Sequence, residues 1–203
     1  MSKIVELILD EEDILAGVDA ISIVEMPAIE ENFIALNKET KVELAEVDKE
    51  RRILMGAALI PNKMIYRRNE EGEYHIYFSK DTISKVSELF LTKGNQNKAT
   101  LEHQINLSGL SVVESWIVDS EKDKSREYGL DVPVGSWMIS LKVYNDEIWN
   151  EYVKTGKVKG FSIEGYFADK VQMKEAGAQI DLEENIKEVE AEAILNQLKE
   201  LLK

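Results

Sequence analysis

The chain contains only two histidines, and they define the acid–base chemistry that its side chains could perform near neutral pH. His75 lies in EYHIYF, a run of aromatic and apolar residues typical of a strand, where a packed or surface histidine is the ordinary interpretation. His103 lies in TLEHQINLSG, where an apolar run changes into a loop. A surface histidine is the commoner case there too, but His103 is the better candidate for a general base.

Ser162 is the candidate nucleophile that such a base would serve. It lies in KGFSIEGYF, between Gly160 and Gly165, and glycines beside a hydroxyl permit close approach of a substrate to the backbone. The segment does not match the G-x-S-x-G elbow of α/β-hydrolases, and a serine in such a strand is most often structural. A serine nucleophile needs a base and a group that orients the base, and His103 is the credible base.

Composition excludes several other kinds of site. Cysteine is absent, which excludes disulfides, thiolate zinc sites and cysteine nucleophiles. The acidic clusters lack the spacing of a calcium loop, and no phosphate-binding glycine pattern is present, so we expect no metal and no cofactor. No run of about 20 apolar residues occurs, and the first residues carry acids where a signal peptide would be basic and then apolar, so we expect an intracellular protein without a membrane span.

The charge of the 203-residue chain, −14 in total, is unevenly distributed. Residues 1–50 hold 14 acids and 4 bases, residues 51–170 hold 17 of each, and residues 171–203 hold 8 acids and 4 bases. Nucleic acid is a disfavoured partner, because binding phosphates requires a basic face and none of these segments is net basic.

The elements that must position the candidates are mostly strands. Residues 64–79 indicate a hairpin turning at Gly72, and residues 81–93 have helical spacing, with Asp81 or Ser79 as N-cap and Gly94 as the end. Further strand patterns occur in the segments ILMGAALIPN, SVVESWIV, SWMISLKVY and KVKGFSIEGYF. Because strands outnumber helices and no long strand–helix–strand series occurs, we expect an α+β fold with an antiparallel sheet or barrel.

The two acidic ends differ from this centre. Residues 1–50 alternate short apolar patches with acids, which favours a partly ordered, extended arm. Residues 171–203 contain a linker and an amphipathic helix whose apolar positions repeat at helical spacing. We therefore predict a folded domain over residues 51–170 between an arm and a tail. The tail is too short for strong coiled-coil pairing, so self-association would be weak or need the folded domain.

The order of these features resembles the tailed-phage prohead proteases, most closely the XkdF-type phage serine proteases, which are distant relatives of herpesvirus assemblin. The segments that carry the resemblance, over residues 17–170, are GVDAISIVEMPAIEENFIAL, LEHQ, VVESWIVDSEKDKSREYG, VPVGSWMISLKVYNDEIW and VKTGKVKGFSIEGYF. The resemblance implies that Ser162 is the nucleophile and His103 the general base. It also implies a closed antiparallel barrel surrounded by short helices.

The third catalytic member is left open by the resemblance. Herpesvirus enzymes are expected to use a second histidine after the serine, and no histidine follows His103 here. We choose Glu114 as a replacement, because it shares a strand face with Trp116, where a carboxylate would otherwise be costly to bury. Asp169, which follows Ser162, is the alternative.

The resemblance thus implies a serine endopeptidase of phage capsid maturation. Its expected partners are the phage scaffold and major capsid proteins, which it would cleave, together with its own acidic ends, inside assembling proheads in the bacterial cytoplasm. The alternative is a non-catalytic assembly or scaffold protein built on a protease-derived fold. A binding module unrelated to phage would leave the ordered set of matching segments unexplained.

Overall fold

A computed structural model describes residues 3–10, 12–30, 34–35, 51–70 and 72–170 of the chain. The strands are β1 (Lys3–Ile8), β2 (Gly17–Val24), β3 (Ile34–Ala35), β4 (Ile53–Leu59), β5 (Ile65–Asn69), β6 (Gly72–Phe78), β7 (Ala99–Leu101), β8 (Ile105–Leu107), β9 (Leu110–Ile117), β10 (Trp137–Val143), β11 (Gly160–Tyr166) and β12 (Ala168–Asp169). The helices are α1 (Lys80–Thr92) and α2 (Asp146–Ile148), with a π-helical turn at Trp149–Val153 and 3₁₀ turns at Asn95–Asn97 and Lys124–Tyr128.

The strands form three four-stranded sheets, in the orders β12-β1-β6-β5, β3-β4-β10-β9 and β11-β2-β7-β8. The α+β class is confirmed, but the described residues form no closed barrel, so the predicted barrel is wrong. Most neighbours are antiparallel, whereas β1 pairs with β6 and β2 pairs with β7 in parallel. Among the described strands, the outer strands of each sheet pair on one side only.

The elements predicted from local signals are present. Strands β5 and β6 form the expected hairpin, and Gly72 has the positive φ of 129° that favours glycine. Helix α1 is capped by Ser79, whose side chain accepts a hydrogen bond from the Thr82 N–H at 3.3 Å. It ends before Gly94, where φ is 72°.

The hydrophobic core lies around β4 and β10, which are buried on both faces. Trp137 and Ile139 on one face of β10 and Met138 and Ser140 on the other face are all fully buried. Helix α1 packs onto this strand through Phe90 and Trp137, whose rings meet edge to face with centroids 5.4 Å apart. Within the described residues, none of the helices has both the length and the apolar character needed to cross a membrane.

Part of the predicted N-terminal arm belongs to the sheets. Residues 3–8 form β1 and residues 17–24 form β2, which lies between β7 and β11. Asp19 interrupts the apolar pattern of β2, so the local sequence does not indicate a strand there. The partners of β2, which are β7 and β11, come from positions far along the chain. The predicted tail helix and residues 36–50 of the arm lie outside the described residues.

Candidate active site

The sheet β11-β2-β7-β8 brings three hydroxyl side chains into one row. Ser162 on β11 lies opposite Ser22 on β2, and Ser22 lies opposite Thr100 on β7. Residues that are opposite each other on neighbouring strands point to the same face of a sheet. Ser162 is partly exposed, whereas Ser22 and Thr100 are buried. The candidate nucleophile therefore occupies the accessible end of this row.

His103 lies over the same face, in the turn that joins β7 to β8. Glu102 and His103 have φ values of 50° and 57°, and the Gln104 N–H donates to the Leu101 carbonyl at 3.0 Å. Two positive φ values at the centre of a hydrogen-bonded turn are typical of type I′, which favours Gly, Asn and Asp. Neither Glu nor His is favoured there, and such unfavourable conformations cluster at functional sites.

Glu164 brings a carboxylate to this histidine. Its Oε1 lies 3.1 Å from His103 Nδ1 and also accepts a hydrogen bond from the Thr100 hydroxyl. Glu164 is two residues beyond Ser162 and therefore on the same face of β11. Its side chain crosses β2, where the small residues Ala20 and Ser22 leave room for it.

The contact between Glu164 and His103 determines what the imidazole can do. An ionised carboxylate only accepts hydrogen bonds, so Nδ1 must carry the proton that it donates to Glu164. In the neutral ring Nε2 is then unprotonated and can accept a proton from a hydroxyl. The side chain of His103 is 42% exposed and that of Glu164 31% exposed, so the pair is open to a substrate.

Ser162 Oγ makes no hydrogen bond to any described residue, His103 included. Hydrogen bonds between nucleophile and base are often long or absent in free enzymes and tighten when substrate binds. The sheet therefore places Ser162, His103 and Glu164 on one face, with the orienting contact formed and the contact between base and nucleophile open.

Glu114 lies in a different sheet, on β9. Its Oε2 accepts a hydrogen bond from Ser140 at 2.5 Å, and its Oε1 lies 2.9 Å from Lys124 Nζ. The hydrogen bond from Ser140, followed by that from Lys124, lowers the pKa of the Glu114 carboxyl. The same ammonium lies 3.9 Å from the centre of the Trp116 ring. The carboxylate predicted to orient His103 is therefore held by Ser140 and Lys124, and Glu164 occupies the position beside His103.

Asp169 and His75 both lie in the sheet β12-β1-β6-β5. Asp169 is opposite Leu7 in the register of β12 and β1. His75 is in β6, and its ring meets the Tyr66 ring edge to face, with the two ring centroids 5.8 Å apart. His75 thus lies in a strand, as the sequence indicates. Of the carboxylates considered for orienting His103, neither Asp169 nor Glu114 shares the sheet that carries Ser162.

Gly165 has a different role from the one suggested by its sequence. A Cβ at this position would lie 2.0 Å from the Gly17 carbonyl oxygen, so the glycine permits close approach of β2 rather than of a substrate. The strand register shifts between Glu164 and Gly165, which marks a bulge.

A cavity of about 250 Å³ adjoins Ser162. Its walls are mainly apolar and include Leu59, Ile76, Phe78 and Ile163, with the guanidinium-bearing Arg67 also at its lining. The lining also contains Phe161, whereas it contains neither His103 nor Glu164. Phe161 and Ile163 alternate with Ser162 and Glu164 along β11, so they belong to the opposite face of the strand. The described residues contain no group of three or more His, Asp or Glu side chains arranged to hold a metal.

Sequence reasoning missed Glu164, Ser22 and Thr100. The signal for Glu164 was available, because residues two apart on a predicted strand share a face, and Glu164 stands two residues after the candidate nucleophile. Nothing local could identify Ser22 or Thr100, since their proximity to the site depends on pairing between strands distant in sequence.

One comparison with known proteins gives a match. The family model described as "Putative phage serine protease XkdF" matches residues 41–172, which is more than half of the chain. No curated protein and no solved structure matches the chain.

Proposed function

Because the chain belongs to the family of XkdF-type phage serine proteases, we propose that it is a serine endopeptidase that uses Ser162 and His103, with Glu164 orienting the histidine. The observation that carries the proposal is the 3.1 Å contact between His103 Nδ1 and Glu164 Oε1, on the face that also carries Ser162. Glu164 takes the place that the sequence assigned to Glu114.

The proposed reaction follows the acyl-enzyme route. His103 Nε2 takes the proton of the Ser162 hydroxyl as Oγ attacks the carbonyl carbon of the scissile bond. The imidazolium then returns that proton to the leaving amine, and an acyl-enzyme remains on Ser162. Water, activated by the same imidazole, hydrolyses the acyl group. Glu164 stabilises the imidazolium in both steps and keeps the ring in its productive orientation.

The proposed substrates are phage scaffold and major capsid protein segments within assembling proheads in the bacterial cytoplasm, together with the chain's own acidic ends. Family membership supports a phage protease as the class of activity. The balanced charge of residues 51–170 between acidic ends fits a precursor that processes itself.

Intact-mass spectrometry of the purified protein over time tests this proposal. The wild type should release defined fragments, and Ser162→Ala and His103→Ala should remain whole. If all three stay whole, the measurement is repeated with scaffold and capsid protein present. Cleavage that requires Ser162 there supports the endopeptidase, whereas its absence in both settings favours the alternative, a non-catalytic assembly protein.

A further inference from the structure

Ser22 joins the backbone of the proposed base to the strand beside the proposed nucleophile. Its side chain is fully buried, and its Oγ accepts a hydrogen bond from the His103 backbone N–H at 3.0 Å. The same hydroxyl donates to the Thr100 carbonyl, at 3.5 Å. Ser22 is also the residue directly opposite Ser162 in the register of β2 and β11. One small side chain thus bonds to the backbone of the proposed base and belongs to the residue opposite the proposed nucleophile.

The turn that this contact holds is intrinsically unfavourable. Glu102 and His103 both have positive φ, which costs free energy for residues with a Cβ. The turn is supported by hydrogen bonds from Glu102 N–H to the Ile23 carbonyl, at 3.1 Å, and from Glu25 N–H to Glu102 Oε1, at 2.6 Å. These two bonds fix Glu102. The bond to Ser22 is the one that fixes the backbone of His103 itself.

Resting on the proposed function, we propose that Ser22 is a positioning residue, which sets the placement of the His103 ring relative to Ser162 and Glu164. A hydroxyl is needed because it accepts the hydrogen bond of the His103 N–H in this part-buried turn, and its loss would release the backbone of His103 from β2. A serine suits the position because a larger side chain would obstruct Glu164, which crosses β2 beside Ser22 to reach His103 and Thr100.

The first measurement is the rate at which a fluorophosphonate labels Ser162, with release of fluoride. Ser22→Ala should slow labelling by about 10-fold to 100-fold, because small displacements of catalytic groups have effects of that size. Ser22→Cys, which keeps a weak acceptor of similar shape, should be intermediate. Ser140→Ala is the matched control, since Ser140 is equally buried in a strand of another sheet and its hydroxyl bonds to a side chain. It should label at nearly the wild-type rate.

The second measurement, ¹⁵N NMR of the two imidazoles, does not depend on catalysis. The wild type should show His103 with the proton on Nδ1, and Ser22→Ala should shift it toward a mixture of tautomers. His75, which lies in another sheet, is the internal reference and should be unchanged. A merely structural role for Ser22 would lower thermal stability without altering the His103 tautomer.

The outcomes separate this inference from the proposed function. If Ser162→Ala is labelled as fast as the wild type, the proposed function fails, and the tautomer of His103 alone then decides the role of Ser22. If Ser162 is labelled but Ser22→Ala and Ser22→Cys both match the wild type in rate and tautomer, the inference is overturned. If Ser22→Ala does not fold, Ser22→Cys decides by the same two readouts.

Discussion

At the scale of residues, two glutamates differ in whether they contact His103. Glu164 lies on the strand of Ser162 and contacts His103, whereas Glu114 lies in another sheet and contacts Ser140 and Lys124. Both are partly exposed and both accept a hydrogen bond from a hydroxyl. Substituting each by glutamine removes one charge with little change of shape, so the pair forms a matched test.

Glu164→Gln should lower kcat/KM, or the rate of fluorophosphonate labelling, by about 10²-fold to 10⁴-fold. The amide can donate to Nδ1 and so favour the tautomer that protonates Nε2, which removes the base. Glu114→Gln should leave the rate nearly unchanged. Equal losses in both variants, or no loss in Glu164→Gln, would contradict the assignment of Glu164.

Glu114 should instead control the stability of its own surroundings at low pH. Its pKa lies below the usual range because Ser140 and then Lys124 stabilise the ionised form. A carboxyl with a lowered pKa in the folded state contributes stability above the usual pKa, and this contribution is lost as pH falls through the folded value. The effect should be small, because the side chains of Glu114 and Lys124 are 47% and 42% exposed.

This loss can be measured by hydrogen exchange of the 3₁₀ turn Lys124–Tyr128. The measurement runs from pH 6 down to about 3, the range in which carboxyls titrate. Protection in the wild type should fall as pH drops below about 4. Glu114→Gln should show lower protection at pH 6 and a weaker dependence on pH. A pH response identical in both proteins would show that another carboxyl is responsible.

At the scale of elements, the sequence predicted what short-range interactions determine. The hairpin β5–β6 depends on a turn glycine, and helix α1 depends on the Ser79 cap. Both signals can be recognised within a few consecutive residues of the sequence. The neighbours of β2 depend on pairing with β7 and β11, which are about 80 and 140 residues away in the chain. The face that Glu164 shares with Ser162 could be predicted from their two-residue spacing, whereas its contact with His103, 61 residues away, could not.

Substitution of Gly165 tests the packing of β11 against β2. Gly165→Ala places a methyl group 2.0 Å from the Gly17 carbonyl oxygen, so the strands must separate at the bulge next to Glu164. We expect destabilisation above about 2 kcal/mol, as for other overpacked sites, together with loss of labelling at Ser162. Chemical denaturation measures the first effect.

Gly156→Ala is the control for this change. Gly156 has a φ of 69° and no atom within 4 Å of an added Cβ, so its substitution should cost only about 1 kcal/mol from backbone strain. Similar losses of stability in the two variants would show that the close approach of β2 is not what requires Gly165.

At the scale of the whole molecule, the first and the last of the described residues meet in one sheet. Strand β12 pairs with β1, and Lys170 Nζ lies 2.6 Å from Glu6 Oε2, which also accepts a hydrogen bond from Tyr77 at 3.2 Å. Hydrogen bonding by Lys170 lowers the pKa of Glu6 despite its burial. Strands β1 and β2 are therefore part of the sheets, and removal of the first fifty residues would take away Ser22 with β2.

This arrangement predicts which ends can be removed by self-processing. A protein of residues 1–170 should fold and label at Ser162, because the three sheets and the proposed catalytic residues lie within it. A protein of residues 51–170, the domain indicated by charge and pattern, should fail to fold, because β11 and β7 would both lose their partner β2. Circular dichroism and labelling measure both outcomes.

Cleavage between residues 36 and 50 is a separate case, since β1 and β2 would stay bound to β6, β7, β11 and β12 through their backbone hydrogen bonds. If the protein cuts itself there, denaturing mass spectrometry should show two fragments while native mass spectrometry shows one complex that still labels at Ser162. Loss of labelling on such a cut, or a folded and active protein of residues 51–170, would mean that β2 does not hold the site together.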